Sequence, residues 1–155
     1  FGNFPYYAGP GLVLGIMISL AGRFISSIAP RNTWLSSLIL VLACAIGWFL
    51  AYQFGYAYKA EGFSLFGSGA IGGIFVAIGL TLAWKLNRIW LVIVLTVLAG
   101  ILGVYMWLVG VEFFELFAID ADLDLIPLFV SWQAILFLAI GIAVQIDSTK
   151  PSTDS

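Results

Sequence analysis

Long apolar runs separated by short polar clusters dominate the sequence. Its charged residues leave five uncharged gaps of 22 to 27 residues, at 1–22, 32–58, 62–84, 89–111 and 125–146. About 20 mostly apolar residues suffice for a helix to cross a bilayer. The pattern therefore predicts an all-α bundle of five transmembrane helices. We place the spans at 8–28, 34–56, 64–86, 89–111 and 127–146.

Prolines and polar residues fall at the edges of these spans. Pro10 and Pro127 suit the first turn of the first and fifth helices, and Asn87 suits a cap before the fourth. Short connections make successive helices antiparallel neighbours. Residues 1–147 are thus expected to form one transmembrane domain, followed by a mobile cytoplasmic tail at 148–155 that is rich in Ser and Thr.

The basic residues are distributed unequally between the two ends of the predicted bundle. Five of them (Arg23, Arg31, Lys85, Arg88 and Lys150) fall on one side and only Lys59 on the other. The excess of Lys and Arg marks the cytoplasmic side of a membrane protein. We therefore expect a multi-pass protein with its N-terminus outside and its C-terminus in the cytoplasm.

Composition narrows the classes of function. Of 155 residues, 63% are hydrophobic and 9% are charged, with a net charge of -2. About one-quarter of the residues of a soluble domain are charged, so this composition predicts a chain surrounded by lipid. A nucleic-acid partner would require a basic face, which the net charge of this chain argues against. Histidine is absent and Cys44 is the single cysteine. We expect no metal and no cofactor.

Candidate catalytic residues lack their partners. The serine in Gly67-Ser68-Gly69-Ala70 has no histidine to act as its base. The second, third and fifth spans carry no acid, and Arg23 is near enough to the inner end of the first to reach lipid headgroups. The run from Asp120 to Asp124 starts like a calcium loop but lacks the glycine and glutamate of one. We expect a protein that is not an enzyme.

Small residues recur every four positions in four spans, and we call these runs the small-residue stripes. They comprise Gly11, Gly15 and Ser19; Ala43, Gly47, Ala51 and Gly55; Gly69, Gly73 and Ala77; and Ala99 with Gly103. Such stripes allow close backbone approach between helices in membranes. They favour packing within the bundle, and the alternative is that one stripe docks a separate subunit or a second copy of the chain.

Aromatic residues fall into two groups. Trp34, Trp84 and Trp90 are expected in the belt at the inner membrane surface. Four others are expected deeper in the bilayer, and these are Trp48, Tyr105, Trp107 and Trp132. They pack the core or, alternatively, line a pocket for an apolar ligand.

The last third of the chain resembles the tryptophan-rich sensory proteins, also called translocator proteins. The resemblance rests on Ile119-Asp120 followed by Pro127 and Trp132. It implies binding of a tetrapyrrole or sterol. The long first loop of that family has no counterpart between Ile28 and Trp34.

Two functions follow as expectations. The first is a non-catalytic integral subunit that packs against a larger membrane complex and stabilises it, in contact with lipid and with other subunits or a copy of itself. The second is a small carrier or receptor for an apolar or tetrapyrrole-like ligand.

Overall fold

The chain folds into five α-helices in a computed structural model that describes residues 4–24, 33–57, 63–115 and 125–148. The helices are α1 (Phe4–Phe24), α2 (Thr33–Ala57), α3 (Phe63–Ala83), α4 (Ile89–Glu115) and α5 (Leu125–Ser148). The all-helical prediction is therefore confirmed for these residues. Most of the predicted tail, residues 149–155, lies outside them.

Three helices of the described part are long and apolar enough to cross a membrane. The qualifying stretches are Trp34–Gly55 in α2, Ser64–Ala83 in α3 and Ile89–Met106 in α4. Shorter apolar stretches occupy Ala8–Phe24 in α1 and Ser131–Asp147 in α5. These lengths and compositions indicate a membrane protein with several spans.

Several helix ends differ from the sequence-based placement, and α4 extends four residues past its predicted end, to Glu115. The first helix begins at Phe4, so Pro10 lies inside α1 and not in its first turn. Proline cannot donate the backbone hydrogen bond of its position, so the ladder of α1 lacks one bond there. The third helix ends at Ala83, three residues before the predicted end, and residues 84–88 make the turn to α4. Residues 25–28 of the predicted first span lie outside the described ranges.

Successive helices are packed neighbours in the order of the chain, as short connections require. The first and last helices also touch, and Gln133 Nε2 of α5 donates to the Pro10 carbonyl of α1 at 3.4 Å. Side chains of all five helices form one apolar core, to which Leu14, Leu40, Val76, Val92 and Leu136 each contribute from a different helix.

The contact between α3 and α4 has no side-chain layer at its centre. A Cβ on Gly69 would overlap the Gly100 backbone, and one on Gly73 would overlap the backbone of Thr96. The Thr96 hydroxyl is turned back and donates to the Val92 carbonyl at 2.7 Å, so its hydrogen bond is made within its own helix. Main chains touch directly here, which only glycine permits.

We expect Gly73→Ala to lower the free energy of unfolding by about 1–3 kcal/mol, because an added methyl must push α3 and α4 apart. Gly141→Ala is the matched control, since a Cβ on Gly141 would meet nothing within 4 Å. The measurement is thermal unfolding of the purified protein in mild detergent. Equal melting temperatures for the two variants would contradict this account of the α3–α4 contact.

Candidate functional site

The small-residue stripes of α1 and α2 face other helices of the same chain. Gly11 and Gly15 lie against the α2 backbone at Cys44 and Val41. On α2, Ala43 lies where a Cβ on Gly79 of α3 would fall. Gly47 likewise touches Phe75, Gly55 touches Ser68, and Ala51 is buried.

The α3 stripe is used in the same way, with Gly69 and Gly73 against α4 and Ala77 buried. The partner of Gly69 is Gly100, which falls outside the spacing-of-four pattern of α4. Each stripe glycine thus meets a helix of its own chain. A separate subunit would have to use a different surface.

The structure brings together two of the four deep aromatic residues. The rings of Trp48 and Trp132 meet edge to face, with centroids 5.0 Å apart. Trp132 is only 3% exposed, and its indole fills the space left by the missing side chains of Gly72 and Gly103. This indole therefore ties α5 to α2, α3 and α4 at one point in the core.

Of the other two deep aromatics, Tyr105 is the one whose side chain is described, and it does not join this pair. Tyr105 lies on the outward side of α4 and is 52% exposed. Trp107 is on the same helix, but its side chain lies outside the described part. The described side chains therefore do not form a pocket lined by all four residues.

Polar contacts concentrate at the end of the bundle where α3 ends and α4 begins. The carboxylate of Asp147, on the last turn of α5, is only 7% exposed. Its Oδ1 accepts hydrogen bonds from the backbone N–H of Asn87 at 3.0 Å and of Arg88 at 2.7 Å. The Asn87 side chain donates to Oδ2 at 3.3 Å. One carboxylate thus joins α5 to the α3–α4 turn.

This arrangement corrects the expected role of Asn87. The Arg88 carbonyl accepts the first helical bonds of α4, from Leu91 and Val92, so Asn87 precedes the cap position. Negative charge next to a helix N-terminus is favourable because unpaired N–H groups give that end a partial positive charge. Asp147 supplies this charge from another helix.

A second polar contact lies at the same end. The buried Ser36 hydroxyl of α2 donates to the carbonyl of Ala83, the last residue of α3, at 2.8 Å. Carbonyls at a helix C-terminus have no partner within the helix, so this contact satisfies one of them.

Trp84 corrects the expected aromatic belt. It is 5% exposed and packs against Gly22 of α1, whereas Trp34 and Trp90 are exposed at this end. The missing side chain of Gly22 gives the indole its room. Trp84 therefore belongs to the core, and of the three tryptophans only Trp34 and Trp90 are placed as residues of an aromatic belt would be.

A crevice opens between α1 and α2 beside Trp84, and we call it the Arg23 crevice. It is lined by Ser19, Gly22, Arg23, Ser37 and Trp84, among others. The Arg23 guanidinium lies 5.7 Å from the centroid of the Trp34 ring. The Ser19 hydroxyl is buried and has no hydrogen-bond partner among the described residues.

Sequence reasoning missed Asp147, Ser36 and the Arg23 crevice. A weak signal existed for Asp147, which is the first charged residue after the last apolar run. Its two backbone partners lie about 60 positions earlier, and no local pattern shows such a pair.

Among the residues that the structure describes, no three His, Cys, Asp or Glu side chains come together as metal ligands do. No protein-family model, curated protein or solved structure gives a significant match to this chain. The resemblance to tryptophan-rich sensory proteins thus gains no support from these comparisons. Its Ile119 and Asp120 lie outside the described residues.

We expect Asp147→Ala to lower the free energy of unfolding by about 2 kcal/mol, because the partly buried N–H groups of Asn87 and Arg88 lose a charged acceptor. Amide hydrogen exchange at Asn87 and Arg88 should become faster, which locates the damage. Asn87→Ala is the control, since it removes only the 3.3 Å contact and keeps the backbone bonds. Unchanged exchange at both amides in Asp147→Ala would rule out this cap.

Proposed function

We propose that the chain is a non-catalytic integral membrane subunit that packs against a larger membrane complex and stabilises it. In the described part, its own side chains form the core, and exposed apolar side chains occur on every helix. Exposed side chains include Met17 on α1, Leu42 on α2, Ile78 on α3, Leu98 on α4 and Leu138 on α5. A structural role in the bilayer accounts for both features.

The proposal places all five helices across the membrane. α1 and α5 have 21 and 24 residues, against 21 in the qualifying helix α3. At 1.5 Å per residue, even 21 residues reach about 31 Å, close to the thickness of the hydrocarbon core. Both outer helices also pack side by side on helices that qualify. This supports a common layer for all five.

The proposed orientation puts the α3–α4 turn in the cytoplasm and the end of α2 outside. In a Cys44→Ala background, a cysteine at Lys85 should react with an impermeant reagent from the cytoplasmic side. A cysteine at Ala57 should react from the opposite side. Both positions are exposed, so reactivity reports the side and not burial. Labelling of both from one side would overturn the topology.

The observation that best supports a partner is the outer face of α5, which we define as Ala134, Leu138, Gly141 and Ile142. These residues are exposed, and nothing lies within 4 Å of a Cβ placed on Gly141. Glycine within a helix costs about 1 kcal/mol relative to alanine. No contact within the described chain accounts for that cost at Gly141. A helix of another membrane protein that packs closely on this face would account for it.

Gly141→Leu should therefore reduce partner retention at least tenfold, a loss of about 1.4 kcal/mol, without lowering the melting temperature of the isolated chain. The measurement is quantitative mass spectrometry of proteins that remain bound at fixed stoichiometry after extraction in mild detergent. Val94→Phe is the control, because it adds bulk to an exposed α4 position at a comparable depth.

Two outcomes would count against the subunit proposal. One is a monodisperse wild-type chain that carries no partner. The other is equal loss of the partner in both variants. If the retained partner has the mass of this same chain, the complex is a homo-oligomer, and the outer face of α5 is still the surface tested.

The alternative function, a carrier or receptor for an apolar or tetrapyrrole-like ligand, has weaker support. The Trp132 indole occupies the space beside Gly72 and Gly103 that such a ligand would need. Binding would require Trp132 to move away from Trp48. Saturable quenching of tryptophan emission by a porphyrin, lost in Trp132→Phe, would favour this alternative over the subunit role.

A further inference from the structure

The Arg23 crevice carries chemistry that packing alone does not use. Ser19 and Arg23 are four residues apart on α1, which places their side chains on the same face of the helix. One brings a buried hydroxyl without a described partner, and the other a permanent positive charge. A buried polar atom without a partner costs about 1–3 kcal/mol, so a ligand that accepts its hydrogen bond is favoured.

We propose that this crevice binds the phosphate group of an anionic phospholipid, with the Arg23 guanidinium supplying the charge and the Ser19 hydroxyl donating a hydrogen bond. The inference needs the chain to lie in a bilayer and does not depend on a partner complex.

The size of the crevice fits one part of such a group. Its enclosed volume is about 20 Å³, which is room for roughly one water-sized group. One phosphate oxygen would enter this space and accept from Ser19. The remaining oxygens would stay at the mouth, where the edge of the guanidinium carries five N–H donors in all. Arg23 Cζ lies 5.7 Å from the centroid of the Trp34 ring, and a guanidinium can meet an aromatic ring while it presents N–H donors to an anion.

The electrostatic terms favour an anion here. α2 begins at Thr33, so its positive end lies near Ser37, whereas α1 ends at Phe24 with its negative end near Arg23. Each helix end is equivalent to about half an elementary charge, so these two terms largely cancel. The full charge of Arg23 then decides the sign. The one buried carboxylate of the described residues, Asp147, is engaged by the α3–α4 turn.

The surroundings select a lipid over a free anion. Exposed apolar side chains flank the crevice on both helices, with Leu20 and Phe24 on α1 and Trp34 and Leu38 on α2. A phospholipid would place its acyl chains along these side chains while its phosphate meets Arg23. Inorganic phosphate would use only the polar half of this surface.

The test uses the full chain in nanodiscs of phosphatidylcholine, with and without a minor share of phosphatidylglycerol. The readouts are the melting temperature and the number of phosphatidylglycerol molecules retained in native mass spectrometry. For the wild type we expect a higher melting temperature with phosphatidylglycerol and one retained lipid of this class.

Variants separate the crevice from general surface charge. Arg23→Gln should weaken phosphatidylglycerol binding about tenfold, because it removes the positive charge together with its hydrogen bonds, and Ser19→Ala about threefold, because it removes a single hydrogen bond. Lys85→Gln is the matched control, since it removes one positive charge from the same end outside the crevice. In a maltoside detergent, which carries no phosphate, Ser19→Ala should be no less stable than the wild type, because the Ser19 hydroxyl then has no phosphate oxygen to donate to.

Several results would overturn the proposal. Equal weakening by Arg23→Gln and Lys85→Gln would mean diffuse attraction to a negative surface. An unchanged affinity in Ser19→Ala would mean that the crevice holds only water. Equal stabilisation by inorganic phosphate in pure phosphatidylcholine would identify a free anion as the ligand in place of a lipid.

Discussion

In a hydrocarbon environment, helices gain no free energy by hiding apolar side chains, so the bundle depends on how closely its backbones approach. α3 is where this approach is closest. Its Gly69 and Gly73 touch the α4 main chain, and Gly79 on another face meets Ala43 and Leu40 of α2. Dispersion energy falls steeply with distance, so a gap of less than 1 Å would forfeit a quarter to a half of the energy of each contact.

The positions of the remaining helices follow from those of α2, α3 and α4. α1 packs on α2 through Gly11 and Gly15, and α5 is held by Trp132 in the space beside Gly72 and Gly103.

Several of the described hydrogen bonds between helices cluster where the chain turns between α3 and α4, and the Gln133–Pro10 contact lies away from this end. At the turn, Ser36 satisfies a carbonyl at the end of α3, and Asp147 satisfies the amides that precede α4. The Ser36 hydroxyl and the Asp147 carboxylate are buried, and hydrogen bonds away from water are stronger and unpaired groups there costlier than in water. Close packing therefore sets the distances between helices, whereas these hydrogen bonds fix how far each helix slides along its neighbour. The Arg23 crevice lies beside this same set of contacts, so its walls are held by both kinds of interaction.

Helix number and approximate position were predictable from the spacing of charges, because lipid requires uninterrupted apolar runs and the chain shows five. A spacing of four keeps each small-residue stripe on one side of a helix, and its described glycines lie against neighbouring helices. What the sequence could not show is which helix each face meets. Gly100 broke the pattern and still became the partner of Gly69, and Gly22 made room for a tryptophan from a turn 62 positions away. Trp84 and Tyr105 were misplaced for this reason, because the sequence does not show whether a neighbouring helix leaves room for an aromatic side chain. Trp84 was expected in the belt and is buried, whereas Tyr105 was expected in the core or a pocket and is exposed.

The bond between Asp147 and the α3–α4 turn also has a consequence for biosynthesis. The carboxylate follows its amide partner Asn87 by 60 residues, so the turn leaves the ribosome well before the group that completes it. At about 5–20 residues per second, this delay is roughly 3–12 s. During that interval the amides before α4 depend on water, which holds the nascent turn near the membrane surface. Asp147 can replace this water only after α5 has been translated. The contact between α5 and the α3–α4 turn therefore forms late in assembly.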